Sequence, residues 1–200
     1  MVNQIPLDGI VDQVSRAIAC ISINDLNGAL YNIAPAIDVV AKKYSSSKSK
    51  DSNRERIESY LNKFEKDLIK LATLGRVMVT STGLLIFGEI STLARLVYKF
   101  IRCGQSHDSV IDQSKVYLGA KYGVSNFFIG EIPCDYKPDQ HVISSAFCLG
   151  LIAIVILDPA NKNRSFTRLS ISNGNKTLNI SEFNCSFSAF VDEYISIHSA

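Results

Sequence analysis

The spacing of apolar residues along the chain predicts a mainly helical protein. From Leu7 to Ile21, apolar residues recur every three or four positions, which is the period of one face of a helix. The same spacing runs from Asn24, a residue type that caps helices, to Tyr44, and Pro35 is expected to kink this second helix. The chain is therefore predicted to begin with two helices that each direct one face to a core.

A polar tract separates this pair from two further predicted helices. Residues 45–53, SSSKSKDSN, are too poor in apolar side chains to pack and are predicted to form a mobile loop. Ser52 and Glu55 have the spacing of a capping box, and an apolar stripe follows as far as Leu71, which predicts one continuous helix. Another helix is predicted over EISTLARLVYKFIR, residues 89–102.

The second half of the chain mixes predicted strands and helices. Residues 115–133 alternate loosely and are interrupted by three glycines, which predicts short strands or an excursion packed on the bundle. Asn173 and Gly174 form a dipeptide typical of a tight hairpin turn, and residues 186–198 have the spacing of an amphipathic helix. A small hairpin followed by a closing helix is therefore predicted for the C-terminal third.

One uncharged run raises the question of a membrane span. Val142 to Leu157 holds sixteen residues without a charge, fewer than the roughly 18 to 20 needed to cross a bilayer. Asp139 is predicted to cap this segment, and Asp158 with Pro159 to end it. We expect a buried helix of a water-soluble protein and no membrane span.

These elements predict a single domain of the mainly α class. The whole chain, residues 1–200, is expected to form one helical bundle with a small β-hairpin elaboration in its C-terminal third. The core bundle is predicted over about residues 5–157, and the hairpin and last helix over about residues 164–198. No stretch repeats at a fixed period, which excludes a solenoid.

Charge and cysteine content narrow the class of protein only slightly. The net charge is +2, with 21 basic against 19 acidic residues, and this balance alone does not indicate a nucleic-acid partner. Residues 42–56 hold six basic and two acidic side chains, which a solvated loop explains better than a phosphate-binding surface. The five cysteines are odd in number and form no CxxC pair, and Asp8 and Asp12 interrupt the start where a signal peptide needs an apolar run. A reducing, cytoplasmic location is predicted.

The chain lacks the sequence motifs of several common enzyme classes. It contains no glycine-rich phosphate loop, no GxSxG nucleophile elbow and no HExxH zinc helix. His107, His141 and His198 are far apart in the sequence, with no cysteine or carboxylate at ligand spacing. No metal and no cofactor are therefore predicted.

The candidate chemistry lies in FIRCGQSHDS, residues 100–109. Arg102 and His107 lie on either side of Gly104 at the end of a predicted core helix. An imidazole titrates near neutral pH and can move protons, whereas a guanidinium stays charged and presents a planar fork to phosphate oxygens. Five positions place the two side chains roughly 140° apart on an ideal helix, and Gly104 is expected to loosen that last turn.

This stretch resembles the signature of the HEPN superfamily, the higher eukaryotes and prokaryotes nucleotide-binding domain. IRCGQSHD is similar to the family's Arg-Cys-Gly-x-x-His-acidic form, and ALYNIAPAIDVVAKK, Ala29 to Lys43, resembles the first helix of bacterial members. The resemblance covers Ala29 to Asp108, and Cys103 stands where the family often has Asn, Asp or His.

The resemblance implies a HEPN-like bundle with the activity of a metal-independent endoribonuclease. It implies that Arg102 and His107 are catalytic, at a composite site between the subunits of a homodimer. Supporting or binding roles fall on Gln105, Ser106, Asp108, Asp38 and Lys42. Asp38 is expected either to face the cleft or to form an exposed helical ion pair with Lys42.

Three classes of function remain open at the level of the sequence. The first is a ribonuclease, such as a toxin or a stress or defence effector, with RNA as its substrate and an antitoxin as a partner. The second is a non-catalytic module that binds a nucleotide, RNA or a protein through the same basic cleft. The third is a structural helical adaptor in which Arg102 and His107 only end a helix, where cations are favoured by the helix dipole.

Overall fold

The structure is a computed structural model of the chain. It describes residues 8–44, 52–76, 92–99, 114–125, 127–129, 135–137, 139–166, 169–174 and 176–199. The described residues are mainly helical, as the apolar spacing predicted. The helices are α1 (Gly9–Ser22), α2 (Leu26–Lys43), α3 (Asn53–Asn62), α4 (Glu65–Ala72), α5 (Leu93–Leu96), α6 (Ser145–Ile156) and α7 (Phe187–His198).

The first two helices begin at aspartate caps. The Asp8 carboxylate accepts a hydrogen bond from the Ile10 amide at 3.2 Å, and α1 follows. The predicted Asn24 cap of α2 is wrong by one residue, because the Asp25 carboxylate accepts from the Gly28 amide at 2.8 Å. Asn24 instead has a φ of 59°, a left-handed conformation that asparagine tolerates at a turn. The helix continues through Pro35.

The third predicted helix is two helices. Its start is confirmed, since Ser52 and Glu55 form both hydrogen bonds of a capping box. The prediction of one continuous stripe to Leu71 is wrong, because the chain leaves α3 after Asn62 and begins α4 at Glu65. Phe64 at this break packs edge-on against Phe187 of α7, with ring centroids 5.7 Å apart. The spacing of apolar residues within α3 and α4 does not predict this contact with a distant helix.

The middle of the chain forms a small mixed sheet. Its strands are β1 (Val116–Leu118), β2 (Tyr122–Ser125), β3 (Phe127–Ile129) and β4 (His141–Ile143), in the order β1-β4-β2-β3. β4 runs parallel to β1 and antiparallel to β2, and β2 runs antiparallel to β3. The short strands predicted within residues 115–133 are confirmed, whereas β4 was not predicted.

The start of the apolar run differs from the prediction. Val142 lies in β4 and pairs with Tyr117, so the helix does not begin after Asp139. Instead Ser144 caps α6, and its hydroxyl accepts a hydrogen bond from the Phe147 amide at 3.1 Å. A continuous apolar run is compatible with both a buried strand and a buried helix. Pairing with β1 makes the start of this run a strand.

Helix α6 lies in the centre of the core. Every residue from Ala146 to Ile156 is buried, and α6 contacts α1, α2 and α4. At 12 residues it is too short for a membrane span, and no helix in the described part of the chain is long and apolar enough to cross a bilayer. From Ser145 to Ile156 the uncharged run is therefore a core helix, as predicted, whereas its first two residues belong to β4.

The C-terminal third contains the predicted hairpin and the last helix. β5 (Ser170–Asn173) pairs antiparallel with β6 (Lys176–Asn179), and Asn173 pairs with Lys176. The turn therefore lies one residue later than predicted, beyond Asn173, with Gly174 at a φ of 58°. Short 3-10 helices precede and follow the hairpin at Pro159–Asn161 and Ile180–Phe183. The domain boundaries, and the HEPN-like character of the bundle, stay predictions.

Candidate functional site

Most of the predicted site residues lie outside the described residues. These are Arg102, Gln105, Ser106, His107 and Asp108, all within the gap between residues 99 and 114. The catalytic roles assigned to Arg102 and His107 therefore stay predictions. The helix that leads to this stretch is described as far as residue 99, and the contacts of its described residues are known.

Helix α5 is held at its start by two polar contacts. The Thr92 hydroxyl accepts a hydrogen bond from the Arg95 amide at 3.2 Å, and a Glu65 carboxylate oxygen accepts from the Leu93 amide at 2.8 Å. The guanidinium of Arg95 lies 3.8 Å from Glu58 of α3. The helix predicted from residue 89 therefore begins at Leu93, because Thr92 is extended and caps it.

Helix α5 also packs against the bundle through apolar side chains. Leu93, Ala94, Leu96 and Val97 are all buried, and α5 contacts α3. Residues 97–99 add one π-helical turn, a form that is rare in proteins and frequent near functional sites. The motif arginine follows Lys99 by three positions in the sequence.

The charge of Lys99, the last described residue of this helix, acts on His141 of the sheet region. His141 begins β4, and its amide donates a hydrogen bond to the Lys115 carbonyl at 2.7 Å. The ring is buried, with 6% of the residue exposed. Burial lowers the pKa of His141, and the ammonium groups of Lys99 and Lys115 lower it further. The neutral form of the ring is therefore favoured by burial and by the charges of the two lysines, an arrangement that the sequence did not predict.

No sequence motif predicts that these three residues lie near one another. Lys99, Lys115 and His141 are separated by long stretches of chain, and only the parallel pairing of β1 with β4 brings Lys115 beside His141. The positive charges of Lys99 and Lys115 both act on His141, and positive potential favours an anionic ligand such as a phosphate.

Asp38 and Lys42 form an ion pair within α2. The Lys42 ammonium lies 3.0 Å from Asp38 Oδ2, and the Lys42 side chain is half exposed. Asp38 is buried, with 7% of the residue exposed, so the expectation of an ordinary exposed pair is wrong for the carboxylate. Its second oxygen, Oδ1, is buried without a hydrogen-bond partner among the described residues. The pairing is confirmed, whereas a role in a cleft stays a prediction.

A second polar cluster was missed by the sequence analysis. The Asp158 carboxylate is 2% exposed and accepts hydrogen bonds from the Tyr44 hydroxyl at 2.8 Å and from the Tyr60 hydroxyl at 2.9 Å. Burial and the Asp158 contact raise the pKa of Tyr44 to about 12, and burial followed by the Asp158 charge raises the pKa of Tyr60. Both phenols therefore stay protonated and act as donors. Because each oxygen of this carboxylate has a donor, we assign the cluster a structural role.

The described residues contain no candidate metal centre. Among them, no three His, Cys, Asp or Glu side chains come together as ligands. Cys20, Cys148 and Cys185 are free thiols, and burial raises the pKa of the Cys148 thiol. Cys148 is therefore a buried core residue without nucleophilic character.

Comparison with known proteins identifies one family. Residues 9–195 match the model of the family described as Rv1289. The match extends from α1 to α7, so it includes the bundle, the sheet and the C-terminal hairpin. No curated protein and no solved structure matches the chain at a significant level.

Proposed function

We propose that this chain, which belongs to the Rv1289 family, is a metal-independent endoribonuclease that acts through Arg102 and His107. The observation that carries the proposal is the spacing of these two residues directly after a helix anchored to the bundle. The family match itself names no activity. The proposal therefore depends on the chemistry of the residues and on their resemblance to the HEPN signature.

The basic group beside α5 supports RNA as the substrate. The ammonium groups of Lys99 and Lys115 lie close enough to lower the pKa of His141, so they concentrate positive potential where the described helix ends. Lysines near a phosphate backbone strengthen binding by releasing counterions, and this contribution does not depend on base sequence. Such a surface would draw RNA towards the stretch that holds Arg102.

The proposed reaction is transesterification at phosphorus. His107 accepts the proton of a ribose 2′-hydroxyl, and the 2′-oxygen attacks the adjacent phosphorus. The bond from phosphorus to the 5′-oxygen of the next nucleotide breaks, and that oxygen takes up a proton. Arg102 stabilises the negative charge that grows on the phosphate oxygens. The products are a 2′,3′-cyclic phosphate and a 5′-hydroxyl end.

The finer parts of the proposal concern assembly and biological setting. We propose a homodimer whose two motif copies form one composite site, in a cytoplasmic toxin or a stress or defence effector that an antitoxin or partner protein restrains. Sedimentation velocity tests the dimer, and we expect a species of twice the 22.0 kDa chain mass. A monomer at all concentrations would contradict the composite site.

Cleavage of total RNA by the purified protein tests the activity. In buffer containing EDTA, we expect fragments that end in 2′,3′-cyclic phosphate. Arg102→Ala and His107→Ala are each expected to lower the rate at least about a hundredfold, which is typical for loss of an oxyanion-stabilising group or a general base. Arg16→Ala is the matched control, since Arg16 is an exposed arginine of α1 paired with Asp12, and its rate should equal the wild type.

The alternative functions give different results in the same experiment. RNA that binds the wild-type chain and is never cut would overturn the nuclease and favour the non-catalytic module. Variants that lower the melting temperature while RNA cleavage and binding stay unchanged would favour the structural adaptor. Thermal unfolding of every variant separates lost activity from lost folding.

A further inference from the structure

A cavity of about 340 Å³ lies where the ends of three helices meet the hairpin. Its walls come from the end of α1, the start of α6, the end of α7 and strand β5. This volume is at the lower end of the range for small-molecule sites, roughly 300 to 1,000 Å³. The cavity therefore suits a ligand smaller than a typical cofactor.

Most of the wall is apolar. Ile18 and Ile21 of α1 contribute one side, Leu149 of α6 the base, and Leu169 and Ile171 the side nearest the hairpin. Four of these five pack against the core yet stay only partly buried, while Leu149 is 6% exposed. Covering partly exposed aliphatic side chains with an apolar ligand is favourable, because it removes apolar surface from water.

One end of the cavity is polar and positively charged. Lys121 lines it, and the Lys121 ammonium lies 5.2 Å from the centroid of the Tyr122 ring. That ring contacts the His198 ring edge-on, with centroids 6.4 Å apart, and His198 also lines the cavity. Lys121 has no carboxylate partner among the described residues, and no aspartate or glutamate appears among the described residues of the wall. The charge of Lys121 is therefore available to a ligand anion.

The orientation of His198 is determined by its contacts. Its ring stacks on Tyr194, with centroids 4.1 Å apart, and its Nδ1 lies 2.9 Å from the Tyr194 carbonyl. A carbonyl only accepts hydrogen bonds, so Nδ1 must carry the proton. In the neutral ring the other nitrogen, Nε2, then carries no proton and can only accept a hydrogen bond.

The start of α6 does not provide an anion site of its own. The amides of Ser145 and Ala146 already donate to the carbonyls of Ala120 and Lys121, at 3.0 and 3.2 Å. The Phe147 amide donates to the Ser144 hydroxyl. Recognition of a negatively charged group therefore falls to the side chain of Lys121, the one lysine or arginine among the described residues of the wall.

We propose that this cavity binds a small amphipathic carboxylate, with its aliphatic part against the isoleucine and leucine wall and its head group beside the Lys121 ammonium. The proposal does not depend on the nuclease activity. Unpaired positive charge at one end of an apolar cavity favours an anion over a cation of equal size.

Titration calorimetry with three probes of matched chain length tests the proposal. Octanoate is expected to bind and to raise the melting temperature, whereas octylamine, its cationic counterpart, and octanol, its neutral counterpart, should bind at least about tenfold more weakly. Equal binding of octanoate and octylamine, or no binding of octanoate, would overturn the proposal.

Variants locate the binding to this cavity. Lys121→Met should weaken octanoate about tenfold, and Ile171→Trp should abolish binding by filling the space. Lys162→Met is the matched control, because Lys162 is exposed and outside the cavity, and its affinity should equal the wild type. Circular dichroism checks that each variant is folded. Unchanged octanoate affinity in Lys121→Met would contradict the proposed head-group site.

The two proposals fail separately. Arg102→Ala and His107→Ala are expected to bind octanoate as the wild type does, whatever the outcome with RNA. Lys121→Met is expected to leave RNA cleavage unchanged. If the nuclease proposal is wrong, the octanoate result still stands. Loss of octanoate binding in folded Arg102→Ala would contradict the independence of the two proposals.

Discussion

Asp158 joins three helices through one buried carboxylate. It follows α6, while its two phenol donors come from the end of α2 and from α3. Tyr44 and Tyr60 also stack, with centroids 5.8 Å apart, and the Lys63 ammonium lies 4.3 Å from the centroid of the Tyr44 ring. A buried charge is tolerated only when its hydrogen-bonding capacity is satisfied, so both donors should contribute to stability.

Tyr60→Phe tests this contribution. The substitution removes the donor to Asp158 Oδ2 at a residue that is 2% exposed, so water cannot replace it. We expect urea denaturation to show a loss of about 1.5 to 3 kcal/mol in the free energy of unfolding. Tyr44→Phe should cost less, because Tyr44 is 47% exposed and water can reach the carboxylate from that side.

Tyr31→Phe is the control for both variants. Tyr31 is 50% exposed on α2, and removal of its hydroxyl should leave the unfolding free energy unchanged. An equal stability of Tyr60→Phe and Tyr31→Phe would mean that Asp158 gains nothing from its buried donor.

At the scale of elements, the packing of α6 on α4 depends on one glycine. A Cβ atom added at Gly150 would lie 2.7 Å from Leu68 Cδ2 and 2.9 Å from Leu71 Cδ2. Both leucines are buried in the core, so their methyl groups have little room to move. The absence of a side chain at Gly150 therefore sets how closely the two helices approach.

Gly150→Ala should destabilise the protein although alanine is the better helix former. We expect a loss of about 1 to 3 kcal/mol from overpacking, measured by urea denaturation. Gly9→Ala is the matched control, because a Cβ there meets no atom within 4 Å and the residue begins α1. A Gly150→Ala variant at least as stable as Gly9→Ala would show that the helices can separate without cost.

At the scale of the whole molecule, His141 links stability to pH. Burial, Lys99 and Lys115 lower its pKa in the folded state, whereas the unfolded chain should titrate near the usual value of about 6.5. Below that pH the unfolded state binds more protons than the folded state, so the free energy of unfolding falls as the pH falls. The contribution of His141 is fully present above the pKa of the unfolded chain.

Unfolding of the wild type and His141→Gln at several pH values tests this linkage. Between about pH 7.5 and 5.5 we expect the wild type to lose more stability than the variant, because glutamine does not titrate. The difference between the two curves isolates His141 from the carboxylates, which titrate in both proteins. Parallel curves would contradict a depressed pKa at this position.

The sequence by itself determined the local features of this fold. The uncharged run predicted the buried helix α6, the Ser52–Glu55 pair predicted the start of α3, and the Asn173-Gly174 dipeptide predicted the hairpin. Each of these signals depends on residues that are close in the chain, where backbone geometry and side-chain hydrogen bonds act directly. Some boundaries moved because another polar side chain is the cap: by one residue at α2, where Asp25 replaces Asn24, and by several at α5 and α6, where Thr92 and Ser144 are the caps.

Only the tertiary structure decided which distant segments meet. The pairing of β1 with β4 turned the start of the apolar run into a strand and brought His141 beside Lys115, and Phe64 between α3 and α4 contacts Phe187 of α7. The cavity likewise needs α1, α6, α7 and the hairpin together. Residue spacing specifies which face of an element is apolar, whereas the partner of that face depends on loop closure and packing over the whole chain.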